Sequence, residues 1–600
     1  MAVSAIGIAA SVAGSYAATF ATSAVAGFIT QGLVSTIVAG ALSGLIPDDA
    51  QNGDRVAEQA SALLNKAGNN NPLPVVYGYR KIGGTRVFME VSGSDNEFLH
   101  VVIAMSEGEI NSFENVYIND IISTDSRFNG VLNVYTHTGA DNQTADSNLV
   151  ASLPNWTSAH RLRGTSYVYV KLKFDVDAFP QGLPTITADL KGTKVYDPRP
   201  SGGLTAWSDN PALCVRNYLT NSRYGRGIAT SLIDDDSFKV AANYCDENVN
   251  IGGATVKRYT CNGIVNTSQG SIGLLKELLT SCKGFLVFTG GKYKLVIDKV
   301  ESAGFTFNED NITGAWTVSL GSKNTQFNRI RANFINKNKQ WQPDIAVVES
   351  SALRTLDNGE LLEKTTTLPY TTDIDRAKMI TTININQSRQ KISCEFNATI
   401  EALKAEVGDV VFIKHSTVGW QYLNASAGKK FRIIKMALQN NDEVKVTAVE
   451  YADGSYDFGT IQVADTAPNT NLPDVTTTKI PVNLLASEQL FVTNTGQGVQ
   501  VRANLSWTAP TDAFAQFYEV EYAEGSGAFQ FVTSTRATSA EVNNLKAGTF
   551  SFRVRTVNTI GVRSAYITLT QSLAGLTTPP VTIQNFSVNA IDGSAYLQWD

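Results

Sequence analysis

The chain offers few residues whose types and spacing could support acid–base or nucleophilic chemistry. A hydrolase needs a nucleophile beside a base, or two carboxylates held at a fixed separation. The four histidines, none of them in a triad or zinc-ligand spacing, are His100, His137, His160 and His415. His160 stands next to Arg161 and is interpreted as a surface or interface histidine. His137 in "YTHTG" is predicted to lie in a loop. We therefore predict no catalytic residue and no enzyme.

An acidic run at Asp234, Asp235 and Asp236 is the best candidate for a metal site. Calcium prefers clustered carboxylates, but the run lacks the alternating spacing of a calcium-binding loop. It leads into a helical pattern, where Asp236 would cap the helix and the helix dipole would stabilise the carboxylates. The glycine-bearing segments lack the Gly-Lys-Ser/Thr ending of a phosphate-binding loop. The sequence thus predicts neither a metal nor a cofactor.

Charge and cysteine content exclude further classes of protein. The net charge is only −6 over 600 residues, without a Lys/Arg run, so sequence-specific nucleic-acid binding is not expected. The five cysteines form no CxxC pair, which disfavours a disulfide framework or a structural zinc site. Reduced, buried thiols are expected, as in a protein folded in a cytoplasm.

The first 47 residues contain no charged side chain and are rich in Ala, Gly, Ser and Thr. A secretory signal would need basic residues before the apolar stretch, and none is present. We predict a helical segment over residues 1–50, with two interpretations open. It inserts in the host membrane as a helix or helical hairpin, or it is buried inside an oligomer or by a partner.

The elements predicted to follow are mainly β-strands. A short helix and joint is expected at 51–71, with Val56, Ala60 and Leu63 on one stripe, then a β-rich region at 72–195 of barrel or sandwich type. An α+β insert is predicted at 196–300, with a helix starting at Asn210 and Pro211. A second β-rich region follows at 301–464 and a linker at 465–481. The fold class is therefore mainly β and multidomain.

Residues 482–575 show the regular short strands of a β-sandwich. "ANLSWTAP", "FYEVEYAE" and "GTFSFRVRTVNTIGVRS" resemble a fibronectin type III module, whose core would hold Trp507, Tyr518, Tyr522, Leu545 and Phe550. Phe550 stands where such modules have the corner tyrosine, and so it lacks the hydroxyl. Residues 576–600 resemble the first two strands of a second module. Because these cannot close a sandwich alone, we expect the natural chain to continue.

Ordered segments between 70 and 460 resemble one phage protein family. They include "PLPVVYGYRKIGGTRV", "FLHVVIAMSEGEINSFENVYIND", "HRLRGTSYVYVKLKFD", "WSDNPALCVRNYLTNSRYGRGI", "SFKVAANYCDENV" and "VGDVVFIK". Together they are similar to the phage tail tip attachment protein J family, the central tail hub of siphophages. The residues that carry this resemblance, here called the signature residues, are Pro74, Tyr77, Gly78, Gly84, Gly108, Gly164, Tyr167, Asp197, Trp207, Asn210, Pro211, Tyr224, Gly225, Cys245, Asp246, Gly408 and Asp409.

The resemblance implies β-barrel-like hub domains in a homotrimer at the virion tail tip, assembled in the host cytoplasm. Such a hub closes the tail tube, takes part in host attachment and DNA ejection, and contacts distal tail proteins, tail-tip proteins and the tape measure protein. Receptor binding would lie beyond residue 600, and residues 1–47 would contact the host membrane if the first interpretation holds.

Two alternatives from other classes remain. One is a baseplate hub of a contractile tail or gene-transfer particle, and the other is a secreted hydrolase or adhesin with fibronectin modules. The latter would require a signal peptide and a catalytic carboxylate framework.

Overall fold

A computed structural model describes residues 34–40, 52–67, 71–175, 178–179, 182–251, 253–267, 271–321, 323–439, 441–459, 475–492, 499–575, 584, 586–591 and 594–598. The chain forms two compact units. The first consists of Met1–Ser123, Leu132–Phe174 and Leu183–Asn469, and the second of Thr124–Val131, Asp175–Gly182 and Thr470–Asp600. The second unit therefore includes two short segments that are remote in sequence from its fibronectin module.

The N-terminal third of the first unit is built from short strands and two helices. The strands are β1 Val34–Gly40, β2 Lys66–Ala67, β3 Pro74–Tyr77, β4 Tyr79–Ile82, β5 Thr85–Ser92, β6 Phe98–Glu107, β7 Ile110–Ile118, β8 Ile121–Ile122, β9 Leu132–His137, β10 Thr165–Lys173, β11 Ile186–Asp197 and β12 Leu204–Trp207. The helices are α1 Asn52–Ser61 and α2 Ser147–Ser152. One sheet has the order β2-β5-β6-β10-β9, and another has β12-β11-β7-β8 with β4 on β11. Both faces of β10 are buried along most of its length, which explains its continuous apolar sequence.

The middle of the unit contains helices and short strands. They are α3 Pro211–Thr220, α4 Asp235–Asp246 and α5 Ser271–Thr280, with strands β13 Asn248–Ile251, β14 Ala254–Lys257 and β15 Gly263–Asn266. The start of α3 is confirmed, because the Asn210 side chain accepts a hydrogen bond from the amide of Ala212 and Pro211 takes the first helical position. The prediction that Asp236 caps α4 is wrong. Asp234 is the cap, since its carboxylate accepts from the Ser237 amide and the helix already begins at Asp235.

Strands return after α5. They are β16 Gly284–Thr289, β17 Lys292–Ile297, β18 Phe305–Phe307, β19 Ile312–Leu320, β20 Arg329–Asn336, β21 Gln342–Glu349, β22 Glu363–Leu368, β23 Ile392–Ala398, β24 Val410–Ile413, β25 Lys429–Leu438 and β26 Val444–Glu450, with helices α6 Ser351–Leu356 and α7 Ile374–Gln387. A nine-stranded sheet has the order β17-β16-β1-β25-β26-β23-β19, and β24 joins β18 to β25. β20 is central in a separate sheet between antiparallel β21 and parallel β22.

The predicted helix over the N-terminal segment is wrong for residues 34–40. This stretch is β1, which pairs antiparallel with both β16 and β25. Its sequence, VSTIVAG, is rich in β-branched residues, and two neighbouring strands offer backbone partners that the helix prediction did not consider. The rest of residues 1–50 lies outside the described residues. Among the described helices, none is long and apolar enough to cross a membrane.

The second unit contains a fibronectin type III sandwich. Its strands are β27 Val482–Val492, β28 Val499–Thr508, β29 Ala515–Glu524, β30 Gln530–Thr535, β31 Ser539–Leu545, β32 Gly548–Asn558 and β33 Ile567–Leu573. One sheet is β27-β28-β31 and the other β30-β29-β32-β33. Trp507, Tyr518, Leu545 and Phe550 are buried in one cluster, with Tyr522 packed against it. A hairpin of β34 Ser587–Ile591 and β35 Ser594–Gln598 follows.

Candidate functional site

The signature residues Tyr77 and Tyr224 meet at one half-buried amide, that of Asn217. The Tyr77 hydroxyl donates to Asn217 Oδ1 at 2.7 Å, and the Tyr224 hydroxyl donates to the same oxygen at 2.9 Å. Asn217 lies on α3, so the amide joins β3 to the helical region. Burial raises the pKa of Tyr77 well above its ordinary value and that of Tyr224 to about 12, which keeps both hydroxyls as donors at neutral pH. This arrangement suits a structural joint.

Gly78 follows Tyr77 at a point where no other residue fits. Its φ is +64°, and a Cβ placed there would lie 2.1 Å from the carbonyl oxygen of Cys261. The Trp207 indole donates to the Gly78 carbonyl at 3.1 Å, and the next amide, of Tyr79, donates to Asn262 Oδ1 at 2.8 Å. The close approach of β3 to the loop before β15 therefore depends on glycine.

Asn210 joins the first two helices of this region. Besides capping α3, its side-chain amide donates to the Ala242 carbonyl on α4 at 2.9 Å, and the residue is fully buried. Cys245 lies on the same helix and is also buried in this core. Together with Tyr77, Gly78, Trp207, Asn217 and Tyr224, Asn210 forms what we call the Asn217 joint.

A charged network lies at the end of α4. Arg199 binds Asp197 and Asp246 at 2.7 and 2.8 Å, and Lys257 binds Asp246 and Asp209 at 3.1 and 3.0 Å. Burial alone would raise the pKa of Asp246, but the hydrogen bond from Arg199 and the charge of Lys257 bring it below its ordinary value. The signature residues Asp197 and Asp246 thus serve as ion-pair partners.

The other signature residues lie apart from the Asn217 joint or only border it. Pro74 begins β3, and Tyr167 is buried on β10 with its ring stacked on His137. Gly84, Gly108 and Gly164 have positive φ, and Gly225 lies close to the Tyr218 carbonyl. Pro211 acts with Asn210 at the start of α3, whereas Gly408 borders a second cluster through its carbonyl and Asp409 follows it in sequence. Their importance to the family stays a prediction.

That second cluster, here called the Arg432 cluster, consists of Lys283, Asp298, Glu301, Arg432 and Tyr456. The Arg432 guanidinium lies 3.3 Å from Asp298 and 3.2 Å from Glu301, and it donates to the Gly408 carbonyl at 2.6 Å. Tyr456 donates to Asp298. The Arg432 and Asp298 side chains are each only 2% exposed, so this is an ion pair removed from water.

Lys283 connects the Arg432 cluster to α7. Its ammonium group donates to Asn384 Oδ1 at 2.6 Å and to Gln387 Oε1 at 2.9 Å, and lies 3.9 Å from Asp298. Gln387 in turn donates to Asp298 at 2.6 Å. Burial lowers the pKa of Lys283. Two cations and two carboxylates therefore balance within one hydrogen-bonded network.

A third cluster lies in the second unit and is called the Glu519 cluster. The Glu519 carboxylate has no exposed area and binds Arg127 at 3.1 Å, Arg555 at 2.6 Å and Arg563 at 3.3 Å. Burial would raise the pKa of Glu519, but the three guanidinium groups lower it below the ordinary range. Tyr518 and Val520 belong to the sandwich core, so Glu519 lies on the opposite face of β29.

The histidines do not assemble a catalytic site in the described residues. His100 lies 2.8 Å from both Ser92 and Tyr169, and burial lowers its pKa. The prediction of a loop position for His137 is wrong. It ends β9 and binds Asp146, which caps α2, at 2.7 Å. His160 accepts from the Thr157 amide, and His415 stacks on Trp316.

The acidic run binds protein partners. Asp234 caps α4, Asp235 binds Arg216 at 2.7 Å, and Asp236 binds Lys239 at 3.0 Å. Within the described part of the chain, no group of three or more His, Cys, Asp or Glu side chains is arranged to hold a metal. All five cysteines are buried free thiols.

Sequence reasoning missed Asn217, Arg432 and Glu519. For Glu519 a pattern was available, because "EVE" in β29 and "RVR" in β32 alternate in step and place Glu519 opposite Arg555. Arg432 has no local pattern, since its partners come from residues 298 to 456.

Comparison with known proteins finds similarity to phage tail proteins. A model described as "Putative phage tail protein" matches residues 272–430, and a fibronectin type III model matches 495–570. The baseplate hub protein pb3 of Escherichia phage T5 is 22% identical over 588 residues, covering 84% of this chain and 60% of that protein. Tip attachment protein J of Escherichia phage SECphi27 is 25% identical over 501 residues, covering 67% of this chain and 41% of that protein.

The chain thus spans about 60% and 41% of the length of these two relatives. A chain from the virion of a native gene transfer agent particle covers 70% of this chain at 14% identity, with a TM-score of 0.47, a likeness too weak to argue from. The two relatives and the phage tail model agree with the resemblance found in the ordered segments. The chain is therefore similar to phage tail-tip and baseplate hub proteins, and this similarity supports a location in the virion tail tip.

Proposed function

We propose that the chain is the structural central hub at the tip of a long non-contractile phage tail. Three copies would form a platform that closes the tail tube, takes part in host attachment and opens for DNA delivery. The observation that carries this proposal is the similarity to pb3 and to tip attachment protein J, which extends over 84% and 67% of the chain. In this proposal the protein supports the tail tip and gates the tail tube, and it catalyses no reaction.

The geometry of the first unit suits a rigid structural component. The Asn217 joint and the Arg432 cluster connect segments more than 100 residues apart through buried or partly buried hydrogen bonds. Such networks fix one arrangement of their members, since a partly broken network leaves buried polar groups unpaired. A platform that must hold its shape at a tube end benefits from that property.

The charge of the chain is compatible with DNA passage. A lumen that passes DNA should not retain phosphates, and a net charge of −6 without a Lys/Arg run fits that requirement. Partners in this proposal are the distal tail and tail-tip proteins and the tape measure protein. Contact of residues 1–47 with the host membrane, as opposed to burial in the assembly, stays a prediction that liposome binding by the intact protein would test.

A conditional nonsense mutation in the gene tests the proposal. Under non-permissive conditions we expect filled heads and no infectious particles, because tails cannot be initiated or closed without a hub. Electron microscopy and plaque counts are the measurements, and supply of the protein from a plasmid is the control. Infectious particles with normal tails in the absence of the protein would contradict the proposal.

A further inference from the structure

Residues 124–131, TDSRFNGV, belong to the second unit although they stand between β8 and β9 in the chain. The segment forms a short 3₁₀ turn at Ser126–Phe128, and Asp125 caps this turn by accepting from the Arg127 amide at 3.1 Å. The segment is hydrogen-bonded to the fibronectin module. The amide of Phe531 on β30 donates to Ser126 Oγ at 2.7 Å.

Arg127 is the centre of these contacts. Its guanidinium lies 4.1 Å above the Phe531 ring and 3.1 Å from the Glu519 carboxylate, while Asp125 holds its Nε at 3.0 Å. The Arg127 side chain is only 6% exposed. A planar guanidinium presents its face to the ring and its edge to carboxylates in one fixed geometry, whereas an ammonium group is a point charge that lacks this planar fork.

A second segment of the same unit supports the turn. Phe128 is buried and stacks on Phe179 of segment 175–182, with ring centroids 5.8 Å apart and 14° between the ring planes. The turn therefore presents its arginine to β29 and β30 and turns the next side chain toward Phe179. One aromatic residue and one arginine, adjacent in sequence, have separate partners.

The face that receives Arg127 is itself unusual for the outside of a sandwich. Glu519 and Glu521 lie on it with Arg553 and Arg555 directly opposite on β32, and Phe531 borders them on β30. Without Arg127, Phe531 would lose the group stacked on its ring, and Glu519 would lose one of its three cations. The face thus has the features of a binding site: a buried carboxylate, an aromatic platform and a backbone donor.

From this geometry we propose that the Glu519 face of the fibronectin module is a docking site for an arginine-centred turn, filled in this chain by residues 124–131. The chemical class of the ligand is a short peptide turn with an acidic residue two positions before the arginine and an aromatic residue directly after it. The site selects arginine over lysine because stacking on Phe531 and pairing with Glu519 occur together.

Peptide binding to the full-length chain tests the proposal. Residues 124–131 are replaced by a Gly-Ser linker of equal length, and a fluorescent peptide of residues 122–133 is titrated in by anisotropy. We expect saturable binding, and about tenfold or greater weakening when the peptide carries Arg127→Lys. A Glu519→Gln substitution in the protein should weaken binding to a similar degree, whereas Glu541→Gln, on the other sheet, should not change it.

Absence of saturable binding, or equal binding of the unsubstituted peptide and the Arg127→Lys peptide, would overturn the proposal. Hydrogen exchange on the intact chain gives a second readout that needs no loop replacement. In Arg127→Lys, the Phe531 amide should exchange about tenfold faster or more because its acceptor Ser126 leaves, while the core amide of Phe552 keeps its rate. Unchanged exchange at Phe531 would also count against docking by the arginine.

Discussion

The Arg432 cluster and the Glu519 cluster bury charge in opposite ways. In the first, two cations and two carboxylates balance, and the central Arg432–Asp298 pair is almost free of solvent. In the second, a single carboxylate holds three arginines, of which Arg555 and Arg563 are 17% and 22% exposed. Loss of an acid in the first cluster leaves cations buried, whereas in the second two of the cations can turn partly toward water.

This difference indicates that the burial of the partner cations, more than the number of ion pairs, determines how much unfolding free energy is lost when one carboxylate is removed. A buried ion pair costs much to break because the remaining charge stays desolvated. A partly exposed arginine that loses its partner regains water at smaller cost. The first unit is therefore expected to tolerate the loss of a buried acid less well than the second unit.

Asp298→Asn should give the largest effect. It removes the charge that offsets Arg432 and Lys283, and we expect a loss of about 3–5 kcal/mol in the free energy of unfolding. Native-state hydrogen exchange in β17, β25 and α7 measures it, because the two units need not unfold together. A loss of stability confined to the second unit would contradict the predicted difference between the two clusters.

Glu519→Gln should have a smaller effect, about 2–3 kcal/mol, because the amide still accepts hydrogen bonds while two arginines reach solvent. The loss should appear in β29 and β32 of the second unit and not in the nine-stranded sheet. Hydrogen exchange of the same two regions checks this. A loss larger than that of Asp298→Asn would reverse the order that burial predicts.

Acid should act on the two clusters with opposite sign. The folded-state pKa of Glu519 is depressed, so its contribution is present above the unfolded pKa of a glutamate and is lost as pH falls through the folded value. The pKa of Glu301 is raised by burial, so in the folded state it takes up a proton more readily, and its contribution becomes more favourable as pH falls toward the unfolded value. The difference in unfolding free energy between wild type and each Glu→Gln variant, measured from about pH 7 to about pH 2, should shrink for Glu519 only below the ordinary glutamate pKa and should not shrink for Glu301.

Surface pairs in each unit should show the smallest effect. Glu395 pairs with Lys445 in the first unit and Glu541 with Arg502 in the second, with both glutamates about half exposed. Substitution of either glutamate by Gln should cost less than about 1 kcal/mol, since exposed pairs are screened by solvent. Thermal unfolding of both variants is sufficient, and a cost similar to that of Glu519→Gln would mean that burial does not distinguish these pairs.

Much of the fold was predictable because it follows local patterns. The starts of α3 and α7, the hairpin from Gly284 to Ile297 and the fibronectin core follow from capping residues, turn glycines and alternation. Residues 34–40 were not predictable in this way. Their apolar run has no period that separates helix from strand, and the strand depends on β16 and β25, which lie more than 240 residues away.

The residues of the candidate sites also fall into two groups: those that local sequence predicts and those that depend on partners distant in sequence. The aspartate run and the Asn210 cap could be interpreted from neighbours in sequence, although the cap within the run was assigned two residues too late. The Arg432 cluster could not be predicted, because Asp298, Arg432 and Tyr456 meet only after the sheet has formed. Segment 124–131 is a similar case, since nothing in TDSRFNGV itself points to a partner 400 residues later.

A cryo-electron microscopy reconstruction of the virion tail tip would test the hub proposal. Three copies of this chain are expected around the tail axis at the distal end of the tube, closing the lumen before ejection. A chain found elsewhere in the particle, or present as a single copy at the tip, would contradict it.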